Sequence, residues 1–184
     1  MAEAVYRGRG AGVPYDEYIA SFTERINLSV NALFGGYDDF YDYTKKSMTV
    51  HAEVLKDEIK YYRSFEFNTG LMNWMFNDIW GNSTWAVVDY YLEKKPAYYA
   101  MTRAGRRQGL GIVYRKDGYF ISVVNDCKTE WSGNLRFSHL GIDGKINDRS
   151  ESTITLHPYT QQNIPISFDK TIADSFLYVE FGGE

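Results

Sequence analysis

Leu71-Met72-Asn73-Trp74-Met75-Phe76-Asn77-Asp78-Ile79-Trp80 is the stretch on which the reading of the chain turns. Asn68-Thr69-Gly70 before it is a turn signal, and the mostly apolar run Leu71 to Phe76 ends in the polar pair Asn77-Asp78. A run this short, flanked by turn residues and rich in aromatics, predicts a buried strand and not a helix. Beyond it the chain is expected to loop through Gly81-Asn82-Ser83.

Upstream, helical spacing dominates. Ile19, Phe22, Ile26, Val30 and Leu33 recur three and four apart, which makes one apolar stripe, bounded by Pro14 and by Gly35-Gly36. A second, longer helix is expected from about Asp38 to Arg63. Met48, Leu55, Ile59 and Tyr62 share one of its faces, and Glu53, Lys56, Asp57 and Lys60 turn mostly to water. Downstream, Pro96 suits the first position of a further helix reaching about Ala104. From Leu110 the pattern becomes all β. Strands are expected at Leu110 to Arg115, Tyr119 to Asn125, Asn134 to His139, Ser152 to Leu156, Ile164 to Phe168 and Ser175 to Phe181. Lys116-Asp117-Gly118 signals a hairpin and Asp143-Gly144 a turn. Short strands at regular spacing predict an immunoglobulin-like antiparallel β-sandwich, short enough to lack a strand. The expected fold is a two-part α+β chain, divided at residues 1–104 and 105–184.

Composition narrows the function classes. Hydrophobic residues at 44% and charged residues at 24% describe a globular chain rather than a disordered one. A net charge of −4 offers no electrostatic reason to expect nucleic acid as a partner. With no apolar run of about 18 residues, no membrane span is expected. Met1 to Gly12 has no signal-peptide character, so the expectation is a soluble, cytoplasmic protein. The single cysteine, Cys127, excludes an intrachain disulfide and any multi-cysteine metal site. His51, His139 and His157 are scattered without metal-ligand spacing, and no phosphate loop, dinucleotide fingerprint or serine nucleophile elbow occurs, so neither metal nor cofactor is expected.

Aromatic residues reach 17% of the chain, and three of the four tryptophans, Trp74, Trp80 and Trp85, fall close together beside Asn77 and Asp78. Two readings stand together here. Indole faces stack on the CH faces of sugar rings while an amide and a carboxylate bind hydroxyls, which suits a carbohydrate pocket at the carboxyl end of a barrel strand. The other is a strand end whose Asn-Asp pair makes a turn and whose tryptophans are packing.

Gly70 through Trp80, then Ser83-Thr84-Trp85-Ala86-Val87-Val88-Asp89-Tyr90-Tyr91, then Lys95-Pro96-Ala97-Tyr98-Tyr99, resembles the last barrel strand and following segment of family-two glycoside hydrolases, especially the β-mannosidase and exo-β-glucosaminidase branch. The pattern is a Gly, a Trp on the strand, Asn-Asp-x-Trp, a Ser-Trp pair, an Asp-Tyr, and Lys with a later Tyr. Gly81 departs from it, where a proline is usual. Tyr62-Arg63 before the strand resembles the end of the family's penultimate barrel helix. Gly118 to Asp126 resembles the opening of the sandwich domain that follows the barrel.

The resemblance implies a carboxyl-terminal fragment: a mostly helical remnant of a (β/α)8 barrel, then the sandwich. It implies that Trp74 forms the floor under a terminal β-linked sugar, with Asn77 and Asp78 at the rim or behind it and Trp80 and Trp85 as candidate walls. Such enzymes are retaining, using one carboxylic acid and one carboxylate nucleophile about 5–5.5 Å apart. The family's acid/base glutamate follows an asparagine, and no Asn-Glu pair occurs here. The nucleophile's slot falls near Tyr6-Arg7-Gly8, where no carboxylate stands, and Glu3 is the nearest. No catalytic residue is therefore assigned to this chain. The alternative is a non-catalytic carbohydrate-binding or protein-interaction module. A barrel strand without neighbours also predicts self-association or pairing with a complementary fragment.

Overall fold

A computed structural model describes residues 15–81, 84–167 and 175–182. Pro14, Glu3, the Tyr6–Gly8 slot, Asn82, Ser83 and Phe168 lie outside the described residues, as do the side chains of Ile19 and Phe22. Among the described residues, three helices precede six strands: α1 (Tyr15–Phe34), α2 (Phe40–Arg63), α3 (Pro96–Ala104), β1 (Gln108–Arg115), β2 (Gly118–Asn125), β3 (Trp131–Gly141), β4 (Ile146–Leu156), β5 (Thr160–Ile166) and β6 (Ser175–Gly182). Their contacts divide the chain into two compact units, residues 1–56 with 72–103 and residues 57–71 with 104–184.

In the first unit, helix boundaries follow local chemistry. Helix α1 stops where Gly35 enters the left-handed region (φ 72°) and its N–H bonds the Asn31 carbonyl at 2.9 Å. Helix α2 starts on Asp39, whose carboxylate accepts the Asp42 N–H at 2.8 Å, while the Asp42 carboxylate accepts the Asp38 N–H at 3.1 Å. Helix α3 begins at Pro96, as expected, and turns Ala97 and Ala100 inward. These alanines pack with Ala52 of α2 and with Val87 and Val88, flanked by Leu55, Tyr98 and Met101. The expected α2 stripe holds in part. Met48 and Leu55 are half-buried, and Val50 and Ala52 are buried instead of being off the stripe.

The expected strand at Leu71 to Phe76 is not formed. The segment is irregular, and the one bridge near it joins Asn77 to Val88 in parallel. Nor is it buried, since Leu71, Met72, Trp74 and Phe76 are all exposed. A strand needs at least one neighbour to ladder with, and among the described residues only the Asn77 end of this segment finds one.

In the second unit, β1, β2 and β5 form one antiparallel sheet in the order β1-β2-β5, and β4, β3 and β6 form another in the order β4-β3-β6. The β1–β2 hairpin turns through Lys116-Asp117 with Gly118 at φ 127°, and Gly144 (φ 79°) turns β3 into β4. Ile121 and Val123 from one sheet meet Leu135, Phe137 and Leu156 from the other in a shared core, closed by Leu110, Ile164, Leu177 and Phe181 among others. Alternate β3 residues Leu135, Phe137 and His139 point inward, the period-two pattern of a half-buried strand. Buried Asn125 ties the sheets' ends: its Nδ2 donates to the carbonyls of Thr129 (2.9 Å), Leu156 (3.3 Å) and His157 (3.1 Å), and its Oδ1 accepts the Cys127 N–H (3.2 Å).

Residues 57–71 belong with these strands through a polar hub at Ser64, just beyond α2. The Ser64 carbonyl accepts from Gln161 Nε2 and Asn163 Nδ2, both at 2.9 Å, and from Arg115 Nη2, which also reaches Ser64 Oγ at 2.6 Å. The Arg115 guanidinium lies over Phe65, 4.4 Å from the ring centre. Arg63 donates to the Ala104 carbonyl at 2.6 Å and pairs with Asp126 at 2.7 Å. The orphan carbonyl of Ser64, just past the end of α2, is thus met by side chains from β1 and β5. Tyr62, assigned to the apolar stripe, is exposed instead, whereas Ile59 is buried as expected.

Candidate functional site

The segment from Met72 to Tyr99 splits into an inward lock and an outward aromatic surface. The lock centres on Asp78, which is 4% exposed. Its Oδ2 meets Lys95 Nζ at 2.9 Å, and Thr84 Oγ1 donates to its Oδ1. The Asp78 N–H bonds the Val88 carbonyl at 3.0 Å, and the Val88 N–H bonds the Phe76 carbonyl at 2.9 Å. Lys95 closes the loop with its own N–H on the Val87 carbonyl, 2.9 Å away. The Thr84 hydroxyl also accepts the Ala86 N–H at 3.1 Å. One carboxylate and one ammonium therefore fix both ends of the loop from Asn77 to Lys95. Burying that pair is tolerable because each charge meets its opposite, Thr84 serves the second Asp78 oxygen, and the Lys95 side chain keeps some contact with water.

A second carboxylate shapes the end of this loop. Asp89 Oδ1 accepts the N–H groups of Tyr91 (2.9 Å) and Glu93 (2.8 Å), and the Leu92 N–H bonds the Asp89 carbonyl at 3.1 Å. The turn so formed presents Tyr90, Tyr91 and Leu92 to solvent.

Outward lie the aromatics. Trp74 is 83% exposed and Met72 wholly so, with Phe76, Ile79, Trp80 and Trp85 exposed to smaller degrees. The Trp74-Met75 peptide bond is cis. Asn73 holds the same stretch by donating Nδ2 to the Met75 carbonyl at 2.9 Å. Asn77 is exposed and donates to the Asp78 carbonyl at 3.3 Å. Trp85 stands edge-on to His51 of α2, ring centres 6.0 Å apart. Burial, and secondarily the Lys95 charge, holds the His51 pKa below the ordinary histidine value.

Of the five predicted site residues, the structure thus turns Trp74, Asn77, Trp80 and Trp85 to solvent and sends Asp78 inward. Sequence reasoning placed neither Thr84 nor Lys95 at the site. The available signal was Lys95 itself, a cation just ahead of the Pro96 helix start and 17 residues from its partner. Among the described residues, no group of His, Cys, Asp or Glu side chains is arranged to hold a metal ion, and no helix is long and apolar enough to cross a membrane.

No protein-family model matches the chain. Among characterised proteins, the exo-β-D-glucosaminidase of Arthroderma benhamiae is 25% identical over 167 residues, covering 86% of this chain and 19% of that protein. The β-mannosidase B of Aspergillus niger is 44% identical over 87 residues, covering 40% of this chain and 10% of its own length. The solved β-D-mannosidase of Dictyoglomus thermophilum superposes with a TM-score of 0.78 at 27% identity, over 86% of this chain and 20% of that one. The exo-chitosanase of Amycolatopsis orientalis shares the fold, with a TM-score of 0.65 at 18% identity over 83% of this chain and 21% of its own. The chain spans about a fifth or less of the length of these relatives.

Proposed function

We propose that this homologue of β-mannosidases and exo-β-glucosaminidases is the carboxyl-terminal part of a retaining exo-β-glycosidase, carrying one wall of the sugar pocket and not the catalytic acids. Residues 1–104 are read as the end of a (β/α)8 barrel and residues 105–184 as an immunoglobulin-like sandwich. The strand order supports the second part. Three-stranded sheets ordered β1-β2-β5 and β4-β3-β6, with the chain changing sheets after β2, β4 and β5, suit a sandwich of that type lacking one strand. Kinship over most of the chain supports the first.

The observation that carries the functional reading is the exposure of Trp74. A large indole held in solvent by an ordered loop contributes little to stability, so a ligand or a missing neighbour is its natural counterpart. In the proposed parent it stacks under the terminal sugar, mannose or glucosamine, and Asn77 reaches a hydroxyl at the rim. Asp78 works from behind: with both oxygens engaged by Thr84 and Lys95, it sets the course of the loop that presents Asn77 and Trp80. Bond cleavage needs a carboxylic acid to protonate the leaving oxygen and a carboxylate to attack the anomeric carbon. With no Asn-Glu pair and no carboxylate within Tyr6-Arg7-Gly8, Glu3 being only the nearest, both groups are assigned to polypeptide outside this chain.

Two measurements on the chain test the reading. Titration with mannose and glucosamine, followed by tryptophan fluorescence, should give saturable binding that Trp74→Ala abolishes. A panel of aryl β-glycosides should show no turnover. Turnover blocked by a mechanism-based glycosidase inhibitor would place the catalytic pair within this polypeptide and overturn the assignment. Sugar binding unaffected by Trp74→Ala would remove the pocket floor.

A further inference from the structure

The sheet β1-β2-β5 carries buried residues on both of its faces. Ile121, Val123 and Ile164 face the core shared with the other sheet. The register puts Gly111 and Arg115 of β1, Ser122 of β2, and Gln161 and Asn163 of β5 on the opposite face. That face lies close under residues 57–71: a Cβ added at Gly109 would stand 2.9 Å from Arg63 Nη1, and one at Gly111 2.7 Å from Lys60 Cδ. Ser122 is only 4% exposed. Four buried polar atoms on this face find no partner in the protein, namely Arg115 Nε, Ser122 Oγ, Gln161 Oε1 and Asn163 Oδ1. Orphaned buried polar groups are rare in folded proteins, so four on one face call for a common cause.

We infer that the four atoms share a buried water molecule, held beside Ser64. Reversing the amides does not satisfy them. Gln161 and Asn163 each turn their nitrogen to the Ser64 carbonyl at 2.9 Å, and a carbonyl only accepts, so both amide oxygens must look elsewhere. Arg115 is fixed in the same way, with Nη2 on the Ser64 carbonyl and hydroxyl and its guanidinium 4.4 and 5.4 Å from the ring centres of Phe65 and Phe120. An amide oxygen or a guanidinium Nε stands about 2.3 Å from the nitrogen beside it, so three of the four atoms lie within roughly 5 Å of the Ser64 carbonyl oxygen. The fourth belongs to Ser122, directly across the ladder from Asn163. Their chemistry selects the occupant. Two amide oxygens need donors, the Arg115 Nε–H needs an acceptor, and the Ser122 hydroxyl serves as either. Water donates twice and accepts twice, whereas an anion would face two amide oxygens and a cation the guanidinium. Buried waters commonly make about three such bonds to groups the protein leaves unpaired. Seated there, the water completes the hub that holds residues 57–71 to the β1-β2-β5 sheet.

Urea unfolding of the isotope-labelled whole chain, read from the amide NMR signals of β2 and β5, tests the inference by the sign of one effect. Ser122→Ala is expected to lower the urea midpoint, because a hydroxyl bonded to water loses that bond. Were the hydroxyl unpaired, deleting it would relieve a desolvation penalty and raise the midpoint. A raised or unchanged midpoint therefore overturns the inference. Magnetic relaxation dispersion of the water oxygen detects long-lived waters directly. Ser122→Val, which puts a methyl group in the water's place, is expected to lose the amplitude of one such water relative to the natural chain. Equal amplitudes, or a natural chain with no long-lived water, would overturn the inference as well. The natural chain's dispersion and the Ser122→Ala midpoint both decide the matter even where Ser122→Val folds poorly.

Discussion

Removing the carboxylate of Asp78 is expected to cost the first unit much of its stability while leaving its aromatic surface chemically intact. In Asp78→Ala, the Lys95 ammonium, whose side chain is 15% exposed, loses its counter-ion, and the Thr84 hydroxyl loses its acceptor. Breaking a buried pair by deleting one partner costs roughly 3–5 kcal/mol, most of it the penalty on the stranded charge. Lys95 retains a little contact with water, which places the expected loss near the lower end, about 3 kcal/mol. Lys95→Met should cost at least as much, because the Asp78 side chain it strands is only 1% exposed. Pairing Asp78→Ala with Lys95→Met should cost clearly less than the two single losses added, with a coupling of roughly 1–3 kcal/mol. Urea unfolding followed by tryptophan fluorescence reads this unit selectively in a Trp131→Phe background, since Trp74, Trp80 and Trp85 all lie in residues 72–103. A loss below about 1 kcal/mol for Asp78→Ala, or simple additivity in the double variant, would mean that the pair is a solvated surface contact and not the lock of the loop.

Acid should weaken the first unit through His51, whose pKa in the folded chain lies below its ordinary 6.5 because of burial and the nearby Lys95 charge. The unfolded chain then binds a proton that the folded chain refuses, so stability is full above about pH 6.5 and falls as pH drops from there toward the folded pKa. His51→Gln should flatten that part of a melting-temperature against pH curve, and an unchanged slope would exclude His51 as its source. In the second unit, Asn125→Asp at neutral pH should destabilise more than Asn125→Ala, because it turns a carboxylate toward three carbonyl oxygens; chemical denaturation at two pH values would show the gap narrowing in acid. Arg115→Ala should cost about 2 kcal/mol, the loss of charged hydrogen bonds to Ser64 tempered by Gln161 and Asn163, which still serve the same carbonyl. Thermal unfolding by circular dichroism would reveal it, and a neutral effect would show that Arg115 is dispensable to the hub.

Local chemistry made most elements legible. The glycine stop after α1, Pro96 at the head of α3 and the Lys116-Asp117-Gly118 hairpin each rest on a few adjacent residues, and each stands where the sequence suggests. Regions decided by distant partners did not read so well. Strand β4 begins at Ile146, six residues before the expected Ser152, because its first half is exposed on both faces and shows no alternation to detect. The hub at Ser64 joins residues 51 to 99 positions apart, and no periodicity encodes that. Leu71 to Phe76 failed in the opposite sense. Its apolar run carries a strand's signal, yet an apolar pattern records what a segment is suited to bury against and not whether that neighbour is present in the same polypeptide.

That failure bears on function. Two neighbouring stretches of one loop behave in opposite ways: Asp78, Val87 and Val88 are buried and tied by an ion pair and backbone hydrogen bonds, while Met72, Trp74 and Phe76 face water. Disorder cannot account for the second group, because Asn73 and the Phe76–Val88 bonds hold the backbone on both sides of Trp74 and Met75. Selection for stability in this chain alone cannot account for it either, since an indole in solvent gains almost nothing from burial. The proposed function accounts for it: the lock at Asp78 fixes the loop, and on that proposal the aromatic face would meet a sugar, the remainder of a barrel, or both in turn. In the proposed parent these are one requirement, because a pocket floor at a strand end is useful only when the neighbouring strands bring the acids to it.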